Sequence, residues 1–189
     1  MEVTVRGFIS GLHGLLFGGF FLAAIFGIGF ELCRSSYAKQ IPELSERGYR
    51  MERIYLVVLV VVGWAAVLSG AYVVYPWYRA VPPAGAANLA AYPQRLLISS
   101  AATIEWHRLG MEWKEHVAWF APIAMTMVAY VLAKYRSGIV RHPGVRRAAV
   151  AFTAAALLAA AIAGGFGALI DKAAPVEGGG TVQLMKGQR

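Results

Sequence analysis

Four apolar stretches, residues 8–32, 54–78, 116–133 and 148–170, dominate this chain. A helix needs roughly 20 apolar residues to cross about 30 Å of hydrocarbon. None of the four stretches carries a charged side chain in its middle. A hydrophobic fraction of 58% over 189 residues and a mean hydropathy of +0.55 exclude an ordinary soluble domain. The expected fold is therefore all-α, a polytopic bundle of four transmembrane helices over residues 1–174, with an external loop at 79–115 and a tail at 175–189.

The net charge of +8 points to topology rather than to nucleic acid. Arg34, Lys39, Arg47, Arg50 and Arg53 fall in the 33–53 loop, and Lys134, Arg136, Arg141, Arg146 and Arg147 in the 134–147 loop. Short basic loops face the cytoplasm, which predicts extracytoplasmic termini in a bacterial inner membrane. The first apolar run is too long for a signal-peptide core and reads as a retained span. Cys33 is the single cysteine and reads as an inert thiol.

Gly7, Gly11, Gly14 and Gly18 recur four, three and four apart, which predicts a stripe for close helix approach. The second span ends in Tyr72, Tyr75, Trp77 and Tyr78, an interfacial aromatic belt. Pro93 is placed to open a short helix in the external loop, and Pro122 to kink the third span. Gly178-Gly179-Gly180 predict a flexible tail unless something holds it.

Two histidines carry the chemical signal: His13, in the first span, and His116, opening the third. Both spans enter the bilayer from one side, so the imidazoles share a leaflet. Ionisable groups in hydrocarbon are costly without a partner, which makes an intramembrane histidine pair a candidate site. Axial ligation of a b-type haem is the leading chemistry. Phe17 and Phe120 follow one turn inward, where rings could pack on a porphyrin edge, and Arg79, Arg108 and Lys114 are the cations available to propionates. His107 lies nine positions before His116 and points the opposite way on a continuous helix; it is a reserve ligand if the chain breaks at Gly110. Glu112 and His116, four apart, also suit a metal or a proton-accepting pair, although an ordinary solvated interface reads better beside Lys114 and Glu115. His142 reads as an exposed loop residue. Cys-x-x-Cys pairs, glycine-rich nucleotide loops and serine-nucleophile elbows are all missing from the sequence.

Four spans with histidines on the first and third resemble the small b-type cytochrome membrane subunits. That resemblance implies a haem b-binding subunit, not an enzyme alone, exchanging electrons among quinone and extracytoplasmic redox subunits. The alternative is a cofactor-free anchor subunit of a larger membrane complex. Both readings imply contact with membrane lipid and partner subunits and none with nucleic acid. A channel or transporter ranks lower, because the span centres lack ionisable residues.

Overall fold

The computed structural model describes residues 2–37 and 45–183. It forms a four-helix bundle whose spans, Val5–Arg34, Glu46–Tyr78, Trp106–Arg141 and Pro143–Ala173, are each long and apolar enough to cross a bilayer. The chain is an integral membrane protein of the all-α class. Large apolar side chains such as Leu15, Phe26, Phe30, Val57, Val61 and Tyr130 point outward, where lipid is the solvent that accepts them. Lys39 lies outside the described residues.

Local chemistry sets the helix ends. The Thr4 side chain accepts from the Gly7 amide and starts the first span; Ser45 does the same for Gly48 and the second. Pro143 opens the fourth span and Pro93 opens the short helix Pro93–Ile98, as expected. Before Pro122, which has no amide to give, the third span loosens into a turn at residues 118–119, where Ala121 N–H donates to the Ala118 carbonyl.

The core is divided in two. A large cluster toward the loops joining spans one to two and three to four is built from Phe21, Ile25, Leu59, Met125, Ala156 and their neighbours. A smaller one, at the end bearing the chain termini, joins Tyr78, Leu97, Met111, Ile170, Ala174 and Val176. Leu97 belongs to the short helix and Val176 to the tail, so both segments cap the terminal end of the bundle.

Two expectations are corrected here. The tail through Gln183 is held by the chain itself: strand β1 (Glu2–Thr4) pairs antiparallel with strand β2 (Thr181–Gln183), Val3 opposite Val182. Gly178, Gly179 and Gly180 take positive φ to turn the chain into that strand. The glycine stripe, in turn, is not where the helices meet. Nothing lies within 4 Å of where a side chain on Gly11 or Gly14 would begin. Close approach occurs instead at single glycines that each receive an aromatic side chain: a Cβ added at Gly63 would begin 2.5 Å from Phe21 Cε2, at Gly27 2.5 Å from the Tyr55 hydroxyl, at Gly70 2.7 Å from His13 Cε1 and at Gly110 3.0 Å from the Phe166 ring. The first span widens into π-helical turns over Leu12–Gly19, which shifts the azimuth of its residues from that of a regular helix.

Candidate functional site

Between the two apolar clusters lies a polar layer to which every span contributes. His13 follows Val5 by eight residues, Ser69 precedes Tyr78 by nine, Lys114 follows Trp106 by eight, and Ala163 precedes Ala173 by ten. At 1.5 Å per residue, all four stand about 12–15 Å in from the terminal end.

His13 Nδ1 is 3.0 Å from Ser69 Oγ. The Ser69 hydroxyl donates its only proton to the Ala66 carbonyl (3.2 Å), so it accepts from His13. In the tautomer that donates from Nδ1, the imidazole leaves a lone pair on Nε2. That nitrogen would meet a Gly70 side chain at 3.2 Å, so the ring seats on the second span only because position 70 is glycine. The Lys114 ammonium lies within electrostatic reach of the ring. It donates to the Ala163 carbonyl over 3.4 Å and rests 3.0 Å from where a side chain on Gly167 would begin.

The third span owes this arrangement to π-helical turns over Trp106–Met111 and Trp113–Val117. Trp106 meets Phe166, Gly110 also meets Phe166, and Lys114 meets Ala163. The face toward the fourth span therefore recurs every four residues. The second span carries π-helical turns at the same level, Gly70–Val74. π-Turns cluster at functional sites more often than elsewhere in helices.

His116 stands about half a turn from Lys114 and therefore on the outside. Its side chain is 69% exposed, contrary to the burial expected for an intramembrane ligand. Nδ1–H donates to the Glu112 carbonyl oxygen (3.1 Å), with Glu112 Oε2 at 3.3 Å, so Nε2 again holds the free lone pair. The pairing of Glu112 with His116 on one helical face is present as expected. Each imidazole has its Nδ1 within hydrogen-bond distance of a group of its own chain, Ser69 for His13 and the Glu112 carbonyl for His116. Their placement puts one ring inside the bundle against the second span and the other on its surface. Among the described residues no hydrogen bond or ring contact joins them.

The remaining candidates have other partners. His107 points inward: its Nδ1 and the Tyr78 hydroxyl are 2.7 Å apart, and Gln94 reaches its Nε2 at 3.5 Å. The helix runs through Gly110 without a break, so His107 is inward because of the helical phase itself. Arg79 donates to the Tyr75 hydroxyl (2.7 Å), and Arg108 makes an exposed ion pair with Glu105 (3.3 Å). Phe120 stacks with Phe152 at 6.4 Å, and Phe17 is half-buried on the first span. His142 meets the Tyr135 ring edge-on at 4.9 Å.

Lys114 is the residue whose inward position sequence reasoning missed. The apolar stretch that opens at His116 leaves it outside, whereas the helix begins ten residues earlier, at Trp106. The legible signal was the recurrence of Trp106, Gly110 and Lys114 every four residues. Compared with protein-family models, characterised proteins and solved structures, the chain matches none of them.

Proposed function

We propose that this chain is a membrane subunit of an electron-transfer complex, exchanging electrons between quinone and redox partners at its terminal end, which the basic loops assign to the extracytoplasmic side of a bacterial inner membrane. The observation that carries this reading is the polar layer itself: a free imidazole lone pair and a cation, enclosed between two apolar clusters, with an interface in reach about 12 Å away. Ionisable groups at such a depth are costly, and function is the ordinary reason that they are kept.

Haem b is the finer form of the proposal, in line with the resemblance to small b-type cytochrome subunits. A bound haem supplies a one-electron carrier. His13 and His116 would hold it through Nε2, and the surface position of His116 calls for a partner subunit to enclose that side. The second reading, a cofactor-free anchor, is favoured by one observation: His116 faces outward instead of toward His13.

Visible spectra of the native complex, oxidised and reduced, separate these readings. The haem form predicts a low-spin b-type signal that His13→Ala and His116→Ala each abolish and His142→Ala leaves intact. Redox subunits that copurify with a haem-free chain would rule out the haem form. A complex without any redox subunit would overturn the electron-transfer reading altogether.

A further inference from the structure

We propose that the loop-side end of the second and third spans binds the phosphate of an anionic phospholipid, held by the Arg136 guanidinium beside the Tyr49 ring. The site lies at the opposite end of the bundle from the chain termini and is independent of any redox role.

Arg136 is an arginine in a backbone suited to glycine. It follows the helix Phe120–Tyr135 with φ 48° and ψ −137°, and among the described residues it is the one non-glycine with positive φ. Those angles are near the first central position of a type II′ turn, where glycine dominates because a Cβ is crowded. Backbone strain of this kind clusters where a side chain is held for function. The guanidinium lies over the Tyr49 ring, 4.8 Å from its centroid, and so joins the third span to the second. A cation on an exposed ring returns less than such a backbone costs. The remainder calls for a further partner.

The bonding capacity for one is unspent. Arg136 is exposed, and among the described residues its guanidinium has no hydrogen bond or ion pair, which leaves all its N–H donors open. Glu52 lies within electrostatic reach of both Arg136 and Arg53, one carboxylate for two cations. Glu31 has both oxygens taken by Arg34, at 2.7 and 3.0 Å. Arg53 stands one turn on from Tyr49, on the same side of that helix, and brings a second guanidinium to this end.

Position and charge choose the ligand. Tyr49 lies in the first turn of its helix and Arg136 directly after the last residue of its own, the level of lipid headgroups, where tyrosine rings and cations gather. Paired N–H groups of a planar guanidinium match two phosphate oxygens. Further into the membrane both spans expose apolar side chains, Val57 and Val61 on the second and Ile123 and Met127 on the third, a surface for acyl chains. A choline headgroup would set its own cation among Arg50, Arg53 and Arg136, whereas a headgroup of net negative charge meets no such repulsion. A free phosphate ion lacks the acyl chains that hold a lipid in place.

Native mass spectrometry of the full chain in detergent with added lipid tests the site. Phosphatidylglycerol should bind about tenfold more tightly than phosphatidylcholine of the same acyl chains, the scale of one charge-assisted hydrogen bond. Arg136→Gly should erase that preference without lowering the melting temperature, because relief of the strained backbone offsets the lost ring contact. Arg136→Gln should erase it through the charge alone. Arg47→Gln, on the opposite side of the second span from Tyr49, should keep it. Equal binding of the two lipids by the native chain, or a preference that survives in either Arg136 variant, overturns the proposal. A lowered melting temperature in Arg136→Gly would make the ring contact the reason for the arginine and overturn it too. So would displacement of the lipid by inorganic phosphate at constant ionic strength, which would assign the site to the free ion.

Discussion

Lys114 donates to the carbonyl oxygen of Ala163 over 3.4 Å and so ties the third span to the fourth at the level of His13. The bond is long and adds little stability. A buried cation is weak evidence of stabilisation, since its desolvation offsets most of what its partners return.

Lys114→Met should accordingly leave the melting temperature in detergent unchanged or raise it. Lys114→Glu should lower it, because a carboxylate set against the Ala163 carbonyl loses several kcal/mol of solvation without gaining a donor. Circular dichroism melts of the two variants check this; a large fall for the methionine variant would make Lys114 structural.

The glycine notches predict a contrast between two equal changes. Gly63→Leu must displace the Phe21 ring, whose Cε2 stands 2.5 Å from the new Cβ, and should cost about 1–3 kcal/mol by overpacking. Gly14→Leu meets open space and should be neutral. Thermal unfolding of both variants decides between the notches and the stripe as the packing surface.

Tyr78 is buried, and its hydroxyl is shared with His107 at 2.7 Å. Tyr78→Phe should destabilise the terminal end by about 1–2 kcal/mol, the cost of an unpaired polar group there. Hydrogen exchange should show faster opening of Pro93–Ile98, which packs on that cluster through Leu97, with the loop-side core unaffected. Uniform exchange would detach Tyr78 from the cap.

Orientation is tested at both ends of the bundle. Impermeant thiol reagents should label Gly179→Cys in intact cells and reach Ser45→Cys only after lysis, with Cys33 replaced by Ser in both. The reverse pattern would move the polar layer to the cytoplasmic leaflet.

Span number, the helix opened by Pro93 and the loosening before Pro122 were legible along the chain, because hydropathy is additive over a window and proline acts on its own neighbourhood. The same holds for the even number of crossings, which the β1–β2 pairing of the two termini matches. Which way each helix faces was not legible. In a soluble protein an amphipathic period marks the inner face, whereas in a bilayer lipid-facing and bundle-facing surfaces are both apolar and the period disappears. Gly14 and Gly63 are alike in sequence, yet only the second receives a ring. His116 and Lys114 stand two residues apart, and the phase of the π-helical turns turns the lysine inward and the histidine out. Composition and local order therefore determined that this chain crosses the membrane four times; the rotation of each helix, set by interhelical packing alone, decided which polar groups meet inside.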